Sequence, residues 1–376
     1  WGLVFAAAVY GPMLVIWLRE WITEFGAAWL AATVSGLLAA KSPSTGTHDN
    51  KRWMEVLARI APYVFVAGAL LAAAYGTHAM LNALADGPPL SCTIWERCHF
   101  AGYLANGYPA ALDKSVGDPG LLAGIFAGCL MVALLFGWRV DVNVFSFHMF
   151  YRNRLARCYL GASNPKRNPH AFTGFDPLDS PALAALSCPQ PESGRAQAQR
   201  PYHIVNAALN MTSGDNLAWQ ERKAGSFVFT PNYCGYEMRE GGGVLHAYQA
   251  TGQYVSKPMW GPRGWMALAT PMTISGAAVS PNAGYHSNPA TAFLMTVFNV
   301  RLGWWMQNTR YRDVWRKPGP RLGLKHLIRE LAGASDAKSK FVYLSDGGHF
   351  ENLGLYELVR RRCRFIVVCD AGNDAA

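Results

Sequence analysis

The chain is organised around residues 345–354, which have the sequence SDGGHFENLG. An apolar run rich in β-branched and aromatic residues, 341–344, precedes this stretch, and a helical pattern, 351–362, follows it. A second apolar run occupies 365–368. The order strand, glycine turn, helix and strand predicts a βαβ unit. We therefore expect Asp346 at the carboxyl end of a parallel strand, where it either performs chemistry or caps the next helix.

The first 139 residues contain most of the apolar sequence. Charge-free segments occupy 1–18, 61–81 and 121–138, and each is close to the ~20 residues that cross a bilayer. A shorter segment, 25–40, is predicted to be a fourth span. The chain has 34 Lys and Arg against 24 Asp and Glu, and the basic residues flank the apolar runs. That distribution favours a membrane protein over a nucleic-acid-binding protein.

Loop charges predict the topology of this membrane region. Residues 41–60 and the segment after Trp138 are basic and are expected in the cytoplasm, whereas the more acidic loop 83–120 is expected outside. Cys92 and Cys98 lie in that outer loop and are close enough in sequence to form a disulfide in an oxidising compartment. The cysteines and histidines lack metal-ligand spacing, so we expect no metal and no cofactor.

Downstream, residues 140–199 are predicted to form a juxtamembrane segment and linker, and 200–376 a folded domain. Two β-rich runs, 200–210 and 226–231, are followed by a block of small residues, 273–281. The order of these blocks before Asp-Gly-Gly resembles that in the cytosolic phospholipase A2 and patatin-like acyl hydrolases. Two further segments, 298–305 and 349–354, resemble the bacterial membrane-bound branch. The resemblance covers roughly residues 200–372.

The resemblance implies a fold and an activity. It implies an α-helical transmembrane bundle followed by an α/β domain with a mostly parallel, three-layer architecture, of which 200–376 would be the C-terminal half. The implied protein is a phospholipase or lysophospholipase of the bacterial inner membrane, with this domain in the cytoplasm. Its Ser-Asp dyad would use Asp346 as general base, and Gly347 and Gly348 would let the backbone turn sharply beside the nucleophile.

The nucleophilic serine of such a dyad is not evident in the sequence. No G-x-S-x-G occurs, and Ser275 has Thr273 and Ala277 where the nucleophile elbow requires glycine. We therefore expect the serine upstream of Trp1, in a longer protein, and we expect the 376-residue chain alone to be inactive. Ser275 remains a weaker candidate nucleophile, and His349, three residues after Asp346, a weaker candidate for a modulating group.

Two alternatives stay open at this point, and one further segment is interpreted as structural. The protein could be a non-catalytic multi-span membrane protein, either a transporter or a signalling scaffold. Trp304 and Trp305, with Arg301 and Arg310 nearby, fit either a membrane-interface patch or a protein core. The segment 141–148 alternates polar and apolar residues as a strand does, and we interpret its serine and histidine as structural.

Overall fold

A computed structural model describes most of the second half of the chain and parts of the first. The described residues are 63–65, 67–80, 119–187, 201–212, 223–240, 242–254, 266–281, 298–317 and 319–370, with the single positions 11, 14, 113, 117, 292, 295 and 296. The chain divides into two compact units, Trp1–Ala133 and Leu134–Ala376.

Two long apolar helices are found among the described residues, Tyr63–Met80 (α1) and Pro119–Arg139 (α2). By length and composition both could cross a membrane, and no residue of α2 is buried. They coincide with the predicted spans 61–81 and 121–138, although membrane crossing itself stays a prediction. The predicted spans 1–18 and 25–40, apart from positions 11 and 14, and the Cys92/Cys98 pair lie outside the described residues.

The second unit combines short helices with six strands. Helix α3 (Phe147–Leu155) continues into a π-helical turn, Ala156–Leu160, and short 3-10 turns follow before the sheet begins. The strands are β1 (Val205–Asn210), β2 (Ala224–Phe229), β3 (Tyr233–Glu240), β4 (Gly243–Ala250), β5 (Trp304–Gln307) and β6 (Phe341–Asp346). The described residues of this unit also form the helices α4 (Ala269–Ser275), α5 (Gly323–Leu331) and α6 (Leu355–Arg360).

The predicted fold, an α-helical bundle followed by a mostly parallel three-layer α/β domain, is wrong, since the described residues form an antiparallel sheet with few helices. The six strands form one sheet in the order β4-β3-β2-β1-β6-β5, and every neighbouring pair is antiparallel. The chain enforces part of this arrangement locally, because β2 turns directly into β3 and β3 into β4. Thr230 closes the first turn, where its hydroxyl accepts a hydrogen bond from Tyr233 N–H at 3.0 Å. Gly242, with φ of +82°, lies in the second turn.

The predicted βαβ unit fails at its last strand. Residues 365–368 form no strand and are largely exposed, with Phe365 93% accessible. The neighbours of β6 are instead β1 and β5, which precede it in the chain and run in the opposite direction. The local pattern identified a strand, a turn and a helix, but it did not determine the strands with which β6 pairs.

Alternating side chains of β5 and β6 cover both faces of the sheet. Trp304, Val342 and Leu344 contribute to the larger core, in which β1, β2, β3 and α4 also take part. Trp305 and Tyr343 point to the other face and pack with Val142 and with Leu327 of α5. This period of two explains why consecutive residues of β5 and β6 are all buried.

A buried polar network joins the turn after α2 to β5. The side-chain amide of Asn143 pairs with the backbone of Trp305 through two hydrogen bonds of 2.9 Å, as a neighbouring strand would. Arg301 is fully buried and donates to the carbonyl oxygens of Val142 and Gly303. Its Nη1 lies 3.4 Å from the equally buried Glu330 Oε1. The chain leaving α2 is therefore fixed firmly to the sheet.

Candidate functional site

Asp346 lies at the carboxyl end of β6, as the sequence predicts, although the strand is antiparallel to its neighbours. Its backbone N–H donates to Ala277 O at 3.3 Å. Its carboxylate oxygen Oδ1 accepts a hydrogen bond of 2.7 Å from Gly348 N–H. The side chain is half-buried, so the backbone around it fixes one oxygen while the group stays accessible.

Gly347 lies where no side chain fits without a shift of the β1 backbone, whereas at Gly348 the exposed side chain of Asn352 would have to turn away. A Cβ on Gly347 would lie 2.9 Å from Asn206 O, and one on Gly348 only 2.2 Å from Asn352 Oδ1. The close approach that the sequence assigns to these glycines is present. Gly354 closes the loop with φ of +67°, where a Cβ would meet Asn206 Nδ2 at 2.9 Å. Asn206 of β1 therefore packs against both ends of the loop 347–354.

His349 bonds to a residue that the sequence did not single out. Its Nδ1 lies 2.8 Å from Ser345 Oγ, which also accepts a 2.8 Å hydrogen bond from Asn210 Nδ2. Either Ser345 Oγ or His349 Nδ1 donates in this bond, depending on the tautomer of the imidazole. Ser345 is fully buried, so its hydroxyl supports the turn and is not an accessible nucleophile.

Ser275 is close to Asp346 in the fold but has the wrong local geometry for a nucleophile elbow. It is the last residue of α4, whereas an elbow places serine between a strand and the start of a helix. Ala277, two residues later, bonds to the backbone of Asp346. Gly276, between them, lies beside Tyr151, since a Cβ there would be 2.8 Å from Tyr151 Oη.

Tyr151 of α3 is a site residue that sequence reasoning missed. Partial burial raises the pKa of its hydroxyl, and the negative charge of Asp346 and the neighbouring Tyr159 raise it further. Tyr151 therefore stays protonated at neutral pH and can donate a hydrogen bond near the Asp346 carboxylate. The sequence places Tyr151 in a basic helix but gives no signal that this helix packs against α4.

The other candidate residues have structural roles. Trp304 and Trp305 are buried with Arg301, so the core interpretation is correct and the membrane-patch interpretation is wrong for these residues. The predicted strand at 141–148 is also wrong, because Ser146 is the N-cap of α3. His148 is buried, and its Nδ1 donates to Leu302 O at 2.6 Å.

None of the described residues forms a cluster of three or more His, Cys, Asp or Glu that could hold a metal ion. Glu357 pairs with Arg360 at 2.8 Å and Arg361 at 3.6 Å, as its helical spacing predicts.

Comparisons with protein-family models, curated proteins and solved structures find no match to this chain. The resemblance to the acyl hydrolases stays a prediction.

Proposed function

We propose that this chain belongs to a membrane-bound hydrolase of lipid acyl esters, in which Asp346 is the general base. One observation carries the proposal: Gly348 N–H fixes Oδ1 of Asp346 at 2.7 Å, and Oδ2 has no hydrogen bond to any described residue. An accessible carboxylate held in one orientation, with one oxygen unoccupied, is suited to accept a proton from a hydroxyl nucleophile.

The proposed reaction uses a serine as nucleophile. Asp346 takes the proton of the serine hydroxyl as the serine oxygen attacks the ester carbonyl. The ester C–O bond then breaks, the departing oxygen takes that proton from Asp346 and leaves as the alcohol, and the acyl-enzyme remains. Water then releases the fatty acid and restores the serine. Because the chain contains no G-x-S-x-G, we propose that the serine lies in polypeptide outside these 376 residues, with Ser275 as the weaker candidate inside it.

The lipid substrate is proposed from the apolar first third of the chain. Helices α1 and α2 have the length and composition of membrane spans, and the basic residues that follow α2 fit a cytoplasmic, phosphate-rich surface. A phospholipid or lysophospholipid supplies both an acyl ester and an anionic headgroup. Tyr151, which stays protonated beside Asp346, supplies a neutral hydrogen-bond donor for this site.

A non-catalytic membrane scaffold is the second candidate function. The bond from Gly348 N–H to Asp346 Oδ1 is also the contact that a capping aspartate makes at the start of a helical turn. Under this alternative Asp346 only stabilises the 3-10 turn Gly347–His349. Its replacement would then lower stability without removing a reaction.

A fluorophosphonate probe, which reacts with activated serines, separates the two candidates. We expect the full-length protein in its membrane to form one serine adduct, and Asp346→Asn to slow that labelling by about 10²–10⁴-fold, the range for a general base. Asp313→Asn, on an exposed ion pair, is the control. An adduct on Ser275 would place the nucleophile inside this chain. No adduct would overturn the enzyme and favour the scaffold.

A further inference from the structure

Helix α3 presents aromatic side chains to the outside. Phe147 and Phe150 are 50% and 58% exposed and, being three residues apart, lie on one side of the helix, whereas His148 is buried. Arg154 continues this side one turn further, with its guanidinium carbon 4.9 Å from the centre of the Phe150 ring. A soluble protein gains nothing by exposing two phenyl rings and an arginine together, whereas a bilayer surface binds both groups.

A further exposed aromatic residue, Phe172, lies on a hydrogen-bonded turn near the end of α3. Phe172 is 93% exposed at the tip of the 170–175 turn. Two backbone hydrogen bonds close the turn: His170 N–H donates to Phe175 O at 3.0 Å, and Gly174 N–H donates to His170 O at 2.8 Å. Arg157, directly after α3, donates to Thr173 O at 3.4 Å. The backbone of the turn that carries Phe172 is therefore held beside the end of α3.

The position of these residues in the chain limits their distance from a bilayer. Phe147 follows Arg139, the last residue of α2, by eight residues. The last residues of α2, from Leu134 onward, belong to the second unit, where a Cβ on Gly137 would lie 2.9 Å from Leu324 Cβ. If α2 crosses the membrane, α3 begins within about 30 Å of the point where the chain leaves it, even in a fully extended chain.

The exposed side of α3 also borders the candidate site. Tyr151 follows Phe147 by four residues, so it lies one turn further along a neighbouring part of the helix surface. Tyr151 contacts Gly276, and the negative charge of Asp346 contributes to the raised pKa of Tyr151. Arg152 holds α3 against α4 through a 3.0 Å hydrogen bond to Thr270 Oγ1. One short helix thus connects the aromatic surface with the carboxylate.

We propose that Phe147, Phe150, Arg154 and Phe172 form the membrane-docking surface of the second unit. The three phenyl rings enter the boundary between headgroups and acyl chains, and Arg154 contacts the phosphates of anionic phospholipids. A lipid drawn from this bilayer region reaches Asp346 past Tyr151. The proposal rests on the proposed function for its membrane location and its substrate, but its test does not require catalysis.

The test reconstitutes the full-length protein into nanodiscs of phosphatidylcholine and phosphatidylglycerol that contain a phospholipid with a photoreactive group near the headgroup. After illumination and digestion, adducts are mapped by mass spectrometry. We expect adducts on peptides that carry Phe147, Phe150 and Phe172. A triple variant is then made with Phe147→Ser, Phe150→Ser and Phe172→Ser. Its adduct yield, measured at the unchanged residues Tyr151 and Tyr159, should be at least about fivefold lower, because the inserted apolar area is removed.

Tyr233→Ser is the matched control, since Tyr233 is an equally exposed aromatic residue on β3. Thermal midpoints of all variants show that the second unit remains folded. Adducts confined to the apolar helices, with none between residues 145 and 172, would overturn the docking surface even if lipid hydrolysis persists. Adducts at the docking surface without any hydrolysis would instead sustain this inference and contradict the proposed function.

Discussion

Replacing Arg301 by methionine should destabilise the second unit more than any exposed charge replacement. Arg301 is fully buried and donates to Asn299 Oδ1, Gly303 O and Val142 O at 2.9, 3.1 and 2.8 Å. The change leaves Glu330 buried with the Trp305 indole N–H as a remaining donor. Removing one member of a buried ion pair costs about 3–5 kcal/mol.

The expected size of this effect can be measured as a shift in thermal midpoint. At about 2–4 °C per kcal/mol for a unit of this length, Arg301→Met should lower the midpoint by about 6–20 °C. Intrinsic fluorescence during heating in nanodiscs reports it through the buried Trp304 and Trp305. Lys340→Met, in an exposed pair with Asp313, is the control and should cost no more than about 1 kcal/mol.

The pH dependence gives a second readout of the same change. Burial raises the pKa of Glu330, and the positive charge of Arg301 opposes that rise. A carboxyl group whose pKa is raised on folding contributes stability that is lost as the pH rises from its unfolded pKa through its folded pKa. Without Arg301 the pKa rises further, so the variant should be more strongly destabilised at pH 8 than at pH 5.

The double variant Arg301→Met with Glu330→Met provides the decisive comparison. It removes both charges, so it should recover part of the stability that the single change loses. If the free energy of unfolding of the single variant is within about 1 kcal/mol of the wild-type value, as for an exposed ion pair, the buried network is refuted. A double variant less stable than the single one would refute the assignment of the loss to the unpaired charge.

Two further predictions concern the loop and the buried histidine. Gly347→Ala should reduce ester hydrolysis at least about tenfold, because its Cβ would lie 2.9 Å from the backbone oxygen of Asn206 and displace the loop around Asp346. Gly252→Ala, whose Cβ would meet only Ala184 Cβ at 3.8 Å, is the control, and equal rates for both would contradict the close approach. Burial lowers the pKa of His148 to about 3. The thermal midpoint should therefore fall as the pH drops from about 6.5 towards 3, and His148→Phe should make this dependence on pH weaker. An unchanged slope would show that His148 does not titrate on unfolding.

The positions of several strands could be predicted from sequence, but their pairing could not. β1 lies within the predicted run 200–210, β2 overlaps the predicted run 226–231, and β6 includes the predicted run 341–344. The direction of β6 depends on contacts with β1 and β5, which lie far away in the chain. The segment 141–148 has the alternation of a strand without forming one, because the residues around the N-cap Ser146 also alternate between polar and apolar.

The candidate site was only partly visible in the sequence. A strand followed by Asp-Gly-Gly indicates a carboxylate at a sharp turn, and the structure has that arrangement. Tyr151 and the Ser345–His349 hydrogen bond could not be predicted, because they depend on how α3 packs against α4 and on which side of β6 the turn folds. Residue type and spacing define the chemistry of a group, whereas tertiary packing defines its neighbours.

The most direct test of the account measures fatty acid release from a lysophospholipid by membranes that contain the full-length protein. We predict that Asp346→Asn slows release by about 10²–10⁴-fold, with no comparable change in the amount of folded protein. Asp313→Asn, which alters an exposed pair, should leave the rate unchanged. Equal release by the wild type and Asp346→Asn would contradict the assignment of Asp346 as the general base.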